Sequence, residues 1–449
     1  MTQAKETNLT KKILWLSNAP WLPSGYGNQT NLFLKTVVPL GHDVAVAANA
    51  GLRGTKMDIG VKIYPGGMDG FSNDVVHAYA HDHEADLIIS LYDAWPLNFA
   101  TFPIHDIPWV AWAPIDCETV PPAVAHSLRH AQGVVAFSKH AQRVLLNEAI
   151  EAEYIPHGID TGIYCPGNQA ESRGAMDLPA DDFLIGMVAN NAYYPSRKCI
   201  PQVMEAFARF HAIYPDSHLY LHCAMDESRK GVDILHLIGL YGLQDAVSLP
   251  NHFDFLMGYP FAAMANLYRS FDILANPSLG EGFGIPIMEA QACGTPVVAT
   301  NGTAMTELVE GTGYLVEGDP WFTQQGAFQT IPSIDGIVDA FKTAYQEKKH
   351  SPDSWKNRKK ACRTRALKYD FEKVVAPMWD KYLRAAPWKL TPNQLKKCAC
   401  IDATAGNDEG RSMIPNDCPI HTEAWTDHGQ GTDGLRKPTE SPAMGKIDQ

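Results

Sequence analysis

Nowhere in the 449 residues do about 18 apolar residues run uninterrupted, the length a helix needs to cross a bilayer, so the sequence offers no transmembrane segment. The first apolar run, "ILWLS" at 13–17, is too short for the core of a secretory signal despite the lysines before it, and reads as the first buried strand of a soluble domain. Cysteine is sparse and follows no paired pattern. Nine residues, an odd number, scatter from Cys117 to Cys418, which argues against a disulfide framework and suits reduced thiols in the cytoplasm. Positive charge is in deficit, 37 Lys and Arg against 50 Asp and Glu, for a formal net charge of −13. Phosphate backbones and anionic membranes are bound through basic surfaces, so this balance disfavours a general polyanion binder and leaves room for one local basic cleft.

What is present is a chain long enough for two domains of somewhat under about 200 residues each, with 45% hydrophobic residues to fill their cores. After the first strand, "NAPWLPSGYGNQTNLFLKTVVPLGHDVAVAANAG" supplies a glycine loop with Gly25 and Gly27, a helix expected from about Asn28 to Leu40 with Gly41 as its stop, and the strand "DVAVAA". Apolar runs at "ADLIISLY", "PWVAWAPID" and "GVVAFS" extend this as a parallel sheet to about residue 160, where "EYIPHGIDTGIYCPG" reads as a hinge. His157 in that segment is expected to order the hinge. From "DFLIGMVAN" the alternation repeats through "PQVMEAFARFHAIY", "SHLYLHC", "GVDILHLIGLYG" and "AVSLPN". The fold class is therefore α/β, two Rossmann-like halves facing across a cleft. The chain closes with an amphipathic helical stretch, "YDFEKVVAPMWDKYLRAA", and turns polar beyond about residue 392.

The stretch "NPSLGEGFGIPIMEAQACGTPVVATN" at 276–301 concentrates the chemistry. With the apolar run "FDILANPS" that leads into it, it reads as strand, glycine loop, helix, strand, with Pro286 in the helix's first turn and Gly294 as its stop. Glycines let a backbone approach a ligand closely, and the free N–H groups that open a helix attract an anion such as a diphosphate. A carboxylate in that loop, Glu281, cannot serve the phosphate and would accept hydrogen bonds from hydroxyls; Glu289, further along the helix, would meet a second set, such as those of a ribose. Arg197 and Lys198 open a helix, where the macrodipole gives cations no help, and this favours a ligand role for them. In the tail, Cys398, Cys400, Cys418 and His421 have the residue types of a zinc site, but C-x-C followed by C-x2-H is not a standard finger, and incidental thiols in an unstructured tail are the alternative.

The E-x7-E pattern within "PSLGEGFGIPIMEAQACGTPVVAT" closely resembles the group 1, family 4 retaining glycosyltransferases, whose two-Rossmann architecture is called GT-B. The resemblance runs along most of the chain. "SGYGNQTNLFLKTVVPLGHDVAVAA" is similar to that family's first glycine loop and helix, "YIPHGID" to the segment before its linker, "SRKCIPQVMEAFARF" to its basic motif, and "YDFEKVVAPMWDKYL" to the terminal helix that crosses back onto the first domain. It implies an N-terminal acceptor domain of residues 1–165 plus 370–388, a donor domain of 180–369, and a separate tail of 392–449. It also implies roles. Glu281 would meet the donor sugar, the amides of Phe283 and Gly284, with Gly282, would hold the sugar or diphosphate, Glu289 would bind the ribose, and Lys198 with Arg197 would neutralise the departing diphosphate. Gly25 and Gly27 would close over the phosphates. The family's further arginine near Asn190 or Asn191 is missing from "VANN", which leaves Arg197 to stand in for it. Asp116 in "WAPIDCETVPP" falls where many relatives carry a histidine near the sugar, and is read here as either a structural cap or a site residue.

The function so implied is transfer of a sugar from a nucleoside-diphosphate sugar, such as UDP-glucose or GDP-mannose, to a hydroxyl acceptor with retention at the anomeric carbon, without a required cofactor. A small molecule or glycan is the expected acceptor. Hydroxymethylated bases of phage DNA are the alternative, in which case the compartment is the host cytoplasm. A nicotinamide-dependent oxidoreductase would need G-x-G-x-x-G after the first strand, and "SGYGNQT" supplies only G-x-G. A noncatalytic nucleotide-sugar or carbohydrate-binding protein that kept the fold is a third reading, and intact Glu281, Glu289 and Lys198 speak against it.

Overall fold

The computed structural model describes residues 10–98, 107–192, 195–225 and 231–385; the four tail residues considered for zinc lie outside them. The first sheet has eight strands: β1 (Lys12–Ser17), β2 (Asp43–Ala48), β3 (Met57–Asp58), β4 (Lys62–Tyr64), β5 (Leu87–Leu91), β6 (Trp109–Ala113), β7 (Gly133–Ala136) and β8 (Glu153–Tyr154), in the order β3-β4-β2-β1-β5-β6-β7-β8. All its pairings are parallel except β3 with β4. The second has six parallel strands, β9 (Phe183–Val188), β10 (Ser217–His222), β11 (Val247–Ser248), β12 (Ile273–Asn276), β13 (Val297–Thr300) and β14 (Tyr314–Val316), in the order β11-β10-β9-β12-β13-β14. The hairpin of β15 (Gly318–Phe322) and β16 (Phe328–Pro332) stands apart from both.

Helices cover both faces of such sheets, so the inner strands read as unbroken apolar runs rather than alternating ones, and β5 and β6 are buried along their whole length. In each sheet the strand order reverses once, beside β1 in the first and between β9 and β12 in the second. Loops leaving such a reversal at the strands' carboxyl ends diverge to opposite faces and open a crevice there.

The chain's last described helix, Ala376–Ala385, packs on the first half although it follows the second. Its Trp379 is fully buried among Trp15, Phe33 and Trp112, with ring centroids 6.2, 5.6 and 5.1 Å away. His42 Nε2 lies 3.0 Å from Asp380, and Arg384 donates to the Leu40 carbonyl at 2.7 Å. The preceding turn, Phe371–Val375, is wide: the amide of Val375 reaches back five residues to the Asp370 carbonyl at 3.1 Å. The described residues form one compact unit. Among the described residues no helix is long and apolar enough to cross a membrane.

Local readings differ from the structure in a few places. The first helix begins at Gly25 and not near Asn28, because Ser24 in extended conformation caps it, its hydroxyl accepting the Gly27 amide at 3.1 Å. Gly25 and Gly27 thus lie in the first helical turn instead of a preceding loop. The helix proper ends at Val37, and a single tight turn, Val38–Leu40, leads to Gly41 at φ +100°. The hairpin was not expected from sequence: Pro320 within "GDPWFTQQGAFQTIP" speaks against a strand, and is tolerated because this ribbon belongs to neither sheet.

Candidate functional site

Two loops leave the second sheet at its reversal point. One follows β9 and carries Arg197 and Lys198 to the helix Ile200–His211; the other follows β12 and carries Gly280–Gly284 to the helix Ile285–Ala292. The Leu279 amide donates to the Arg197 carbonyl at 2.9 Å, so the two loops are tied together at the backbone.

Glu281 is 6% exposed and surrounded by donors. Lys198 Nζ forms an ion pair with Oε1, which also accepts the Ser278 hydroxyl at 2.6 Å. Arg197 Nη1 lies 3.4 Å from Oε2 and donates to the Gly280 carbonyl at 2.6 Å. Burial pushes this carboxyl up, but Lys198, Arg197 and the Ser278 hydroxyl outweigh it and hold it down at about 2. Burial likewise pulls the Arg197 guanidinium down and is overcome by Glu281, Asp116 and Asp93. For Lys198 burial prevails and its ammonium is lowered, with Glu281 opposing. A half-exposed guanidinium and a deeper ammonium therefore stand on one ionised carboxylate, with their remaining N–H donors free to meet an anion.

The helix Ile285–Ala292 begins at Gly284, whose φ of +105° is the left-handed region that glycine adopts without penalty. Pro286 in its first turn costs no hydrogen bond there. Among the described residues no acceptor meets the amides of Phe283 and Gly284. From the other half, Gly25 faces this start so closely that a Cβ on it would stand 3.3 Å from Ile285 Cδ1. Two helix N-termini, each the positive end of its dipole, thus converge on the crevice. The Phe283 side chain turns away from it, 2% exposed, with its ring edge-on to His157 and Tyr369 at 5.6 and 5.5 Å.

The glycines of the loop have a packing reason beside any ligand. A Cβ on Gly280 would stand 1.9 Å from the Asp116 carbonyl oxygen, and one on Gly282 would stand 2.7 Å from Pro114 Cβ. Asp116 Oδ2 itself lies 3.9 Å from Arg197 Nη1, so the structure brings this first-half residue to the basic pair. Glu289 is more enclosed than a group awaiting a ribose would need to be. It is 7% exposed and accepts the Tyr268 hydroxyl at 2.8 Å, and burial raises its carboxyl in spite of the nearby Tyr268 and Tyr164 hydroxyls. A carboxylate has about four acceptor positions, so two tyrosines leave capacity for other hydroxyls.

Asn191, near the missing arginine, is occupied structurally: Nδ2 donates to the carbonyls of Ala224 and Val232 at 3.0 and 2.8 Å, and Oδ1 accepts the Val232 amide at 2.8 Å. His157 is buried against Trp112 and Phe137 at 4.5 and 3.9 Å, and burial lowers it to about 3, so its imidazole is neutral and packs the junction.

Sequence reasoning missed Asp93, whose carboxyl is raised to about 6 by burial and by Asp116, with Arg197 opposing. Its signal was available, since it directly follows the apolar run of β5 and so sits at a strand's carboxyl end. It also missed Ser278, Tyr164, Tyr268 and Thr303, whose types carry no motif and whose relevance comes only from what they touch.

The sequence model of the family Glycosyl transferases group 1 matches residues 183–324. The chain is 32% identical over 171 residues to the D-inositol 3-phosphate glycosyltransferase of Stackebrandtia nassauensis, a match covering 36% of this chain and 37% of that protein. It is 32% identical over 189 residues to the protein of the same name from Mycolicibacterium gilvum, covering 40% of this chain and 39% of that one. The chain thus spans well under half the length of these relatives. Among solved structures, sucrose-phosphate synthase from Thermosynechococcus elongatus superposes with a TM-score of 0.67 at 19% identity, over 84% of this chain and 99% of that one. Anabaena HepE, solved with UDP and glucose, gives 0.62 at 19% identity, over 84% and 100%. The similarity of fold covers both halves, whereas the family match lies in the second.

Proposed function

We propose that this protein, whose residues 183–324 match the sequence model of the glycosyl transferases group 1 family and whose described chain has the GT-B fold, transfers a sugar from a nucleoside-diphosphate sugar to a hydroxyl acceptor. The observation that carries the reading is the placement of Lys198 and Arg197 on Glu281 beside the unmatched amides of Phe283 and Gly284. The diphosphate lies against those amides and the two cations, and the sugar's hydroxyls meet Glu281. When the bond from the anomeric carbon to the phosphate oxygen breaks, its electron pair stays on the diphosphate, and preorganised cations stabilise the growing charge. The acceptor oxygen forms the new bond to that carbon. Retention follows if it attacks on the face the diphosphate leaves, its proton passing to the departing phosphate oxygen. Glu289 serves the ribose.

HepE, a fold neighbour, was solved with UDP-glucose, which supports a nucleotide sugar as the donor class. The net charge of −13 favours a small molecule or glycan as acceptor over duplex DNA. The test is incubation with a panel of nucleotide sugars, reading free nucleoside diphosphate, with the anomeric configuration of any product assigned by NMR. Release of nucleoside diphosphate with a retained anomer is expected. If no donor is consumed and no nucleoside diphosphate raises the melting temperature, the reading fails.

A further inference from the structure

Glu118 belongs to the first half, in the loop after β6, yet its carboxylate serves the second: Oε1 accepts the Thr303 amide at 3.0 Å. Thr303 in turn accepts the Glu281 amide on its hydroxyl at 3.1 Å. This threonine is 4% exposed and sits at φ +49°, the left-handed region, where a β-branched residue is strained. Such a conformation persists only where the surroundings fix it, and it gathers at functional sites. The approach across the junction is close enough that a Cβ on Gly302 would stand 2.8 Å from Glu118 Oε1.

The same loop is gripped by β16. The Glu118 amide donates to the Phe328 carbonyl at 2.7 Å, Gln329 Nε2 donates to the Asp116 carbonyl at 3.1 Å, and the Thr330 amide donates to the Leu279 carbonyl at 3.0 Å. Thus β16 threads between the Asp116–Glu118 segment of one half and the root of the Glu281 loop in the other. A cavity of about 440 Å³, lined in part by Glu118, Thr303, Gln329 and Thr330, opens beside this contact, so Glu118 is not a core residue fixed by surrounding bulk.

We infer that Glu118 is a positioning residue which, through Thr303, sets the main chain of Glu281 when the two halves are together. The Glu281 side chain is already oriented from within the second half by Lys198, Arg197 and Ser278. Its amide is fixed by a threonine whose own amide is completed from across the cleft. The donor-sugar acid is therefore fully positioned only when the acceptor-side half is docked, which links assembly of the site to closure. This inference rests on the reading of Glu281 as the group that meets the donor sugar.

The test compares Glu118→Ala, Glu118→Gln, Thr303→Val and Thr303→Ser in the full chain. Glu118→Ala and Thr303→Val should each lower kcat at least about tenfold while the donor KM moves less than about threefold, since positioning acts on the transition state more than on ground-state binding. Glu118→Gln keeps an oxygen acceptor and Thr303→Ser keeps the hydroxyl, so both should restore most of the rate. Combining Glu118→Ala with Thr303→Val should cost no more than either alone, because they break one relay. Hydrogen exchange supplies a readout independent of activity: Glu118→Ala should deprotect the Glu281 amide, with β9 and β10 unchanged. Wild-type kcat in Glu118→Ala, additive losses in the double variant, or an unchanged Glu281 amide would each overturn the inference. A wild type that consumes no nucleotide sugar would instead refute the functional reading, and the exchange experiment would still decide the relay.

Discussion

Gly280 and Asp116 stand on opposite halves of the molecule, and a single methyl group on the glycine would come within 1.9 Å of the aspartate's carbonyl oxygen. That contact fixes how near the Glu281 loop lies to the first half. Replacing Gly280 by alanine forces the Asp116 segment to retreat, and with it the Gln329 bond to the Asp116 carbonyl. A displacement of this size is expected to lower kcat by about 10- to 100-fold. Each half should stay folded, so nucleoside diphosphate should still raise the melting temperature of Gly280→Ala. A rate equal to wild type would show that the close approach has no part in catalysis.

Lys198 and Glu289 are both tested by the stabilisation that a ligand confers. A nucleoside diphosphate binding only the native state raises the melting temperature according to its affinity. Lys198→Ala removes the part-buried ammonium beside Glu281, and Glu289→Ala removes the proposed ribose acceptor, now held by Tyr268. Both variants should show a smaller ligand-induced shift than wild type. Equal shifts in all three proteins refute the phosphate and ribose assignments.

Asp93 predicts a pH dependence of opposite sign to that of Glu281. Its carboxyl is raised to about 6 in the fold, so the native state binds the proton more tightly than the unfolded chain does, and the stabilisation present below about 4 is lost as pH rises through about 6. Asp93→Asn should therefore gain on wild type between pH 4 and pH 7, by up to about 3 kcal/mol. Glu281, held at about 2, contributes stability that is present above about 4.5 and disappears as pH falls toward 2. Urea denaturation of wild type, Asp93→Asn and Glu281→Gln across this range checks both. A wild-type minus Asp93→Asn difference that stays flat with pH would refute the first.

Trp379 anchors the final helix on the first half. Truncating this fully buried ring to alanine leaves a cavity against Trp15, Phe33 and Trp112, for an expected loss of about 3–5 kcal/mol. Equilibrium denaturation measures it directly, and a loss below about 1 kcal/mol would mean that the helix contributes little to folding.

The alternation of apolar strands with helical stretches made the two parallel sheets legible, because strands covered on both faces must be apolar throughout, and β5, β6, β12 and β13 all lie where such runs occur. Caps were less legible: Ser24 moved the first helix start onto Gly25, since a serine in "PSGYG" signals a cap only once its hydroxyl is seen to accept an amide. The hairpin escaped because its proline is acceptable only in a ribbon outside both sheets.

For the site, sequence alone determined which chemistry the second half offers: two acids eight positions apart, a glycine turn opening a helix, and an Arg-Lys pair, all encoded within short segments where spacing dictates geometry. Only the tertiary structure decided their company. That Lys198 and Arg197 stand on Glu281, that Glu289 is enclosed by Tyr164 and Tyr268, and that Asp93, Asp116 and Glu118 arrive from the other half depends on contacts between residues scores of positions apart. Such contacts arise when two sheets pack with their reversal points facing, a long-range outcome that leaves no periodic mark in the chain.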